Sequence, residues 1–142
     1  MKDKFFIDTN ILVYSFDASS PVKQNISQEM IKKALGDQVG CISSQVIQEF
    51  LNVSSKKFKP ALSSEDCLKY LNTVLSPLCE IFTSIDLYRA TIEISERWKY
   101  SFYDSMIITA ALQTNCGILY SEDLQHKQKV QTLTIINPFI HS

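Results

Sequence analysis

The sequence predicts an α/β fold, a central and mostly parallel sheet of about five short strands flanked by helices. Short β-branched and aromatic runs alternate with longer segments whose apolar residues recur at helical spacing, the pattern of a parallel sheet covered on both faces. Only 3 Gly and 4 Pro occur in 142 residues, which leaves little room for linkers. Hydrophobic residues make up 45% and charged residues 20%, the balance of a globular chain and not a disordered one. The length suits one domain over 1–142 with one good core. An all-helical bundle would leave the strand-like runs unexplained.

Residues 4 to 8 read as a strand, followed by a short helical turn through Ile11 and Leu12. Over 22 to 35, Ile26, Met30, Ile31 and Ala34 form one helical face, with Lys23, Glu29, Lys32 and Lys33 outside and Gly36 as the stop. "VGCIS" (39 to 43) is β-like, and Ser43 or Ser44 caps a helix through Val46, Ile47, Phe50 and Val53. Pro60 breaks the chain. "SSEDCLKYLNTVLS" opens with serines and early acids, a helix start, and Pro77 is expected to end that helix. "CEIFT" (79 to 83) reads as a strand. A helix then starts at Asp86 and runs to 98, with Leu87, Ala90, Ile94 and Trp98 on one face. "YDSMIITAALQTN" is a helix apolar nearly all round, hence central. "GILYS" and "TLTIIN" are the last strands, joined by a polar stretch containing "HKQK".

Several function classes are excluded by composition. No apolar run approaches the roughly 18 residues of a membrane span. "MKDKFFID" lacks the apolar core of a signal peptide, so the cytoplasm is the expected location. The cysteines at 41, 67, 79 and 116 lack zinc-site spacing and need no disulfide framework. Neither His126 nor His141 has a second ligand near it in sequence, which argues against a histidine-based metal site. The net charge of −1 says nothing by itself about nucleic acid. If four carboxylates are engaged by cations, however, the rest of the chain is net positive.

Four acids stand in apolar company, and each has a structural explanation beside a functional one. Asp8 interrupts "FFIDTNILVY", where it either caps the following helix or serves a site. Glu49 borders the face of Val46, Phe50 and Val53, where a boundary glutamate could equally snorkel to solvent. Asp104 heads a stripe continued by Ile108 and Ala111, yet Ser101 and Asp104 also resemble a capping box. Asp123 follows a strand, as does Glu122 beside it, and a surface turn is the common fate of such an acid. In a parallel sheet, ligands sit at the carboxyl ends of strands, where Asp8 and Asp123 fall. Carboxylates gathered there would repel unless a hard divalent cation bridged them.

The segments "FIDTNILVY", "SSQVIQEF", "YDSMIITAAL" and "LYSEDLQHKQKV" with "LTIINPF", in this order, resemble the PIN-domain ribonucleases, most closely the VapC-type toxins of bacterial toxin–antitoxin pairs. The resemblance spans almost the whole chain. It implies a PIN-like three-layer fold and an endoribonuclease site dependent on Mg²⁺ or Mn²⁺, with Asp8, Glu49, Asp104 and Asp123 as catalytic metal ligands. It selects Asp123 over Glu122. Thr9 and Asn10 would then orient Asp8, and Ser121 would assist Asp123 or a water. The chain departs from the pattern where members of this subgroup often carry Gly before the last strand. Here Gln131 and Thr132 stand instead.

Two basic clusters are candidates for holding RNA phosphates: Lys56, Lys57 and Lys59 after the Glu49 helix, and Lys127 and Lys129 after Asp123. Their alternative is ordinary solvation. The resemblance further implies a small antitoxin protein as partner and a homodimer, for which the apolar residues around Pro60 (Phe58, Leu62, Leu68, Tyr70 and Leu71) are candidates, unless they are core. The competing functional class is a non-catalytic PIN-fold module that binds RNA or protein. A receiver-like or phosphatase domain would want a second acid two residues after its nucleophile, which "DTN" lacks.

Overall fold

Phe5, Phe6 and Ile7 are buried one after another. A strand apolar on both faces needs a layer above and below it, which draws it to the middle of a parallel sheet. In the computed structural model, which describes residues 4–140, that strand is β1 (Phe5–Ile7). The others are β2 (Gly40–Ser43), β3 (Cys79–Ile81), β4 (Ile118–Tyr120), β5 (Lys129–Val130) and β6 (Leu133–Ile136). They lie in the order β3-β2-β1-β4-β6-β5, and every neighbouring pair is parallel except β5 with β6.

The mostly parallel sheet flanked by helices is thus present, with one strand beyond the expected five. That strand is β5, which begins inside the polar "HKQK" run and folds back on β6 through Gln131. The Gln131 backbone has a φ of 56°, in the left-handed region. A glycine enters that region freely, whereas another L residue gives up about 1 kcal/mol there. The turn therefore keeps a conformation suited to glycine although the residue is Gln.

The helices are α1 (Thr9–Tyr14), α2 (Pro21–Gly36), α3 (Ser44–Lys56), α4 (Ser64–Tyr70), α5 (Ser76–Leu78), α6 (Ile85–Trp98) and α7 (Phe102–Gln113). Serine starts four of them by one device. Ser43, Ser63, Ser84 and Ser101 accept hydrogen bonds from the backbone N–H groups of Val46, Asp66, Leu87 and Asp104 at 3.4, 3.1, 3.1 and 3.2 Å. The start expected at Asp86 is therefore set by Ser84, and Asp86 sits in the first turn, where an acid suits the helix dipole.

Pro77 does not end its helix as expected. A π-helical turn over Leu71–Leu75 joins α4 to α5, with the Ser76 N–H reaching back to the Leu71 carbonyl. Pro77 sits in the first turn of the short α5, where a residue without an N–H leaves no interior bond unmade.

Ser105 through Ala111 are all buried, which makes α7 the central helix its composition predicts. Of the apolar residues around Pro60, Phe58, Leu62, Tyr70 and Leu71 pack against the core, while Leu68 remains exposed. Uncovered apolar side chains gather instead on α6, α7 and the approach to α6: Phe82, Ile85, Tyr88, Ile92, Phe102 and Tyr103. Cys41 and Cys116 are buried, Cys67 and Cys79 half-buried, and all four are free. No helix among the described residues is long and apolar enough to cross a membrane. His141 lies outside the described residues.

Gly40 marks the closest approach of a helix to the sheet. A Cβ on Gly40 would stand 2.4 Å from the Cβ of Ala34 on α2 and 2.8 Å from the Phe5 ring. Gly40→Ala should therefore force α2 off the sheet and cost about 1–3 kcal/mol, as overpacked core sites do. Urea denaturation of the two proteins measures this directly, and an unchanged midpoint would contradict the packing.

Candidate active site

The site begins with the register of two strands. In the parallel pair β1 and β4, Phe5 lies opposite Ile118 and Ile7 opposite Tyr120. One residue further along, Asp8 and Ser121 fall side by side. The Asp8 backbone N–H donates to the Tyr120 carbonyl at 3.0 Å, and the Ser121 hydroxyl donates to Asp8 Oδ2 at 2.8 Å. The other carboxylate oxygen, Oδ1, accepts from the Thr9 N–H at 2.7 Å, so Asp8 also caps α1. The capping and functional readings of Asp8 are compatible. From β1 the chain proceeds to β2 on one side, and β4 later takes the other, which makes this the switch point where α/β sheets open a crevice.

Three more acids reach the same crevice from separate elements. Glu49 comes from the middle of α3 and Asp104 from the first turn of α7. Asp123 comes from the loop after β4. With Asp8, Thr9 and Asn10 they line one cleft of about 300 Å³. Thr9 Oγ1 donates to Glu49 Oε1 at 2.7 Å, and Asn10 Nδ2 donates to Asp123 Oδ2 at 2.5 Å.

These bonds pair the polar residues differently from the expectation. Thr9 holds Asp8 by its backbone and Glu49 by its side chain; Asn10 holds Asp123, not Asp8; Ser121 holds Asp8, not Asp123. Helix geometry explains the first two. Successive side chains on α1 diverge by about 100°, so neighbours at 9 and 10 address opposite walls. The β1–β4 register explains the third.

Glu122 is turned away and does not line the cleft. Its carboxylate accepts from the Tyr14 hydroxyl at 2.6 Å and from Lys23 Nζ at 2.6 Å, while Lys23 lies 4.7 Å from the Tyr14 ring centroid. Burial pushes its carboxyl up, but Lys23 and Tyr14 outweigh that and hold it below the usual range. Asp8 behaves oppositely. Burial is the main cause pushing its carboxyl up to about 6, opposed by the bonds from Ser121 and Thr9 and reinforced by the charges of Glu49 and Asp123.

No Lys or Arg among the described residues lines this cleft. Nor do three His, Cys, Asp or Glu side chains among those residues converge closely enough to form a ready-made metal cage. His126 is occupied in the loop instead, its Nδ1 accepting from the Asn137 N–H at 2.9 Å. Of the basic candidates, Lys57 and Lys59 line a neighbouring groove of about 820 Å³ with Phe16 and Phe58, and Val53 belongs to both groove and cleft. Lys56, Lys127 and Lys129 are exposed and line neither.

Gln45, Asn52 and Tyr103 also line the cleft and were not singled out from the sequence. The signal was available for two of them: Gln45, Glu49 and Asn52 stand at i, i+4 and i+7, one face of α3.

The PIN domain family matches residues 5–130. Curated protein sequences give no match. Among solved structures, a toxin–antitoxin complex from Klebsiella pneumoniae aligns with a TM-score of 0.69 at 15% identity, over 96% of this chain and 98% of that one. VapC20 of Mycobacterium tuberculosis, a sarcin–ricin loop cleaving toxin, aligns with a TM-score of 0.60 at 16% identity, over 84% and 90%. VapBC2 from Rickettsia felis, bound to a DNA fragment from its promoter, aligns with a TM-score of 0.58 at 20% identity, over 92% and 96%. At these identities the likeness speaks for the fold, and the family match covers most of the sequence. The chain belongs to the PIN domain family.

Proposed function

We propose that this protein is a Mg²⁺- or Mn²⁺-dependent endoribonuclease, the toxin of a VapBC-type toxin–antitoxin pair acting in the cytoplasm. The observation that carries the reading is the gathering of Asp8, Glu49, Asp104 and Asp123 from four separate segments into one cleft without a basic residue. A protein that only bound RNA or another protein would have no use for that concentration of like charge. The likeness to a sarcin–ricin loop cleaving toxin and to two toxin–antitoxin assemblies supports the same reading.

The donor set suits a hard divalent cation. All four groups are carboxylates, and an oxygen-only set suits Mg²⁺, which keeps several waters and takes few protein ligands directly. Bound cations would supply the activation of water and the neutralisation of charge on the phosphodiester oxygens. The chain's own work is orientation. Ser121 and the Thr9 N–H fix Asp8, the Thr9 hydroxyl fixes Glu49, and Asn10 fixes Asp123. Lys57 and Lys59 line the adjoining groove, which meets the cleft at Val53, and would take phosphates of a strand that leaves the cleft by that side. The apolar part of that groove, with Val13, Phe16, Val53 and Leu62, suits an amphipathic antitoxin segment, from which an Arg or Lys could reach the acids.

For assembly, the exposed stripe of Ile85 and Ile92 on α6, with Phe82 before it, is a better homodimer face than the region around Pro60, whose apolar residues are largely spent on the core.

Asp104→Asn removes a ligand charge with little change in volume, and Ser101 still caps α7 through the residue-104 backbone N–H. It should lose RNA cleavage by about 100-fold or more, the scale seen when an essential electrostatic group is removed, while circular dichroism stays native. Full activity at ordinary Mg²⁺ would refute the assignment. Glu122→Gln should keep most activity, because its carboxylate serves Tyr14 and Lys23 and not the cleft.

Asp8 gives a pH signature of the metal-free protein. With its carboxyl raised to about 6, the folded state holds a proton over a pH window in which the unfolded chain has already released it. Stability from this group is therefore lost as pH rises from about 4 to about 6, on the order of 3 kcal/mol in all. Asp8→Asn in EDTA should melt higher than wild type at pH 7.5 and equally at pH 4. A variant that melts lower at both would contradict the burial argument.

Ile85→Glu with Ile92→Glu should convert a dimer to a monomer in light scattering. A wild type that remains monomeric at high micromolar concentration would remove the dimer from the proposal.

A further inference from the structure

Tyr103 immediately precedes Asp104 in the first turn of α7 and stands on the rim of the acid cleft, 66% exposed. Its ring contact with Phe102 is edge-on, centroids 5.6 Å apart at 83°, so that contact does not cover both ring faces. Across the cleft, α3 presents Gln45, Glu49 and Asn52 in one row, an amide on either side of the carboxylate. The two walls are tied together, for Gln45 Nε2 donates to the Tyr103 carbonyl at 3.2 Å. A carbonyl only accepts, which identifies the nitrogen end of the amide and leaves Oε1 as the free acceptor. That oxygen is buried without a partner among the described residues, in a side chain belonging to a residue 4% exposed. An orphaned buried acceptor is costly and asks for an explanation.

We propose that this end of the cleft is a nucleobase subsite, which holds one unpaired ribonucleotide base beside the scissile phosphate. The base stacks on Tyr103, and Gln45 reads its edge. The inference rests on the ribonuclease reading and adds which residues of this chain receive the base next to the scissile phosphate. Aromatic rings on protein surfaces are the usual platforms for such bases, because every base has a π-face, whereas a paired and stacked base has none to offer. Amides carry donor and acceptor together, the chemistry that base edges present. The orphaned Gln45 oxygen then has a natural partner in an amino or imino N–H of the bound base. Tyr103 and Asp104 line the same cleft, so a base stacked on Tyr103 brings its own phosphate toward the acids.

The test uses the full-length protein with a single-stranded ribo-oligonucleotide carrying 2-aminopurine, whose fluorescence falls on stacking, in Ca²⁺ in place of Mg²⁺. Wild type should quench the probe on binding. Tyr103→Ala should abolish quenching and weaken binding about ten-fold or more, in line with the worth of one base–aromatic stack, and Tyr103→Phe should restore both. An oligonucleotide abasic at the probe position should bind wild type as weakly as the intact one binds Tyr103→Ala. Equal quenching and affinity in wild type and Tyr103→Ala would overturn the subsite, as would equal binding of the annealed duplex. Unchanged quenching with an altered mass in light scattering would also overturn it and assign Tyr103 to a contact between copies. Cleavage in Mg²⁺ is scored separately. Tyr103-dependent quenching without cleavage would remove the nuclease reading and leave the subsite, and cleavage with Tyr103-independent quenching would do the reverse.

Discussion

A carboxylate at the end of the central strand is the constraint on which the rest of the site depends. Asp8 follows three fully buried apolar residues and cannot retreat to bulk water without pulling β1 with it. It is tolerable because both of its oxygens are bonded, one to the first amide of α1 and one to Ser121. The second bond exists only if β4 pairs with β1 in its observed register, since a slip of one residue would put Tyr120 or Glu122 beside Asp8. Sheet register, helix start and the position of the first acid are therefore one decision.

From that point the cleft is assembled by short polar links between elements. Thr9 joins α1 to α3 through Glu49, Asn10 joins α1 to the loop after β4 through Asp123, and Gln45 joins α3 to α7 beside Asp104. Each link aims a side chain and ties together two elements that are distant in sequence. The links do not cancel the cost of burying Asp8, to which the charges of Glu49 and Asp123 add, and its carboxyl stays raised. The fold thus carries a stability cost at its centre that a bound cation would relieve, the usual relation between a functional site and its scaffold.

Much of this was legible from local chemistry. Serine before an apolar-periodic stretch pointed to three of the four serine-capped helix starts, at Ser43 or Ser44, in "SSED" and, as one of two readings, at Ser101, and the apolar run of β1 predicted a buried strand. Asp8, Glu49 and Asp104 could be named because each broke an apolar pattern, whereas Asp123 was told from Glu122 only by the resemblance to the PIN-domain ribonucleases. What was not legible depends on pairing across the chain. Nothing in "DTN" says that Thr9 serves Glu49 while Asn10 serves Asp123, because those partners lie 40 and 113 residues away. The Lys23–Tyr14–Glu122 cluster was hidden for the same reason. The π-helical turn before Pro77 escaped because it is an accommodation to packing, and the surplus apolar surface was sought around Pro60 because composition cannot distinguish a half-buried Phe58 from an exposed Ile85.

The strand order also bears on how the protein comes off the ribosome. β1 is made before both of its neighbours, β2 and β4, and β4 lies more than a hundred residues downstream. Until β4 emerges, one edge of β1 is unpaired and Asp8 lacks Ser121. The acids at 8, 49, 104 and 123 are likewise spread over most of the chain, so no nascent fragment short of residue 123 contains the complete cleft. Such non-local pairing folds slowly. A growing chain built this way can bring the four carboxylates together only after β4 has paired with β1.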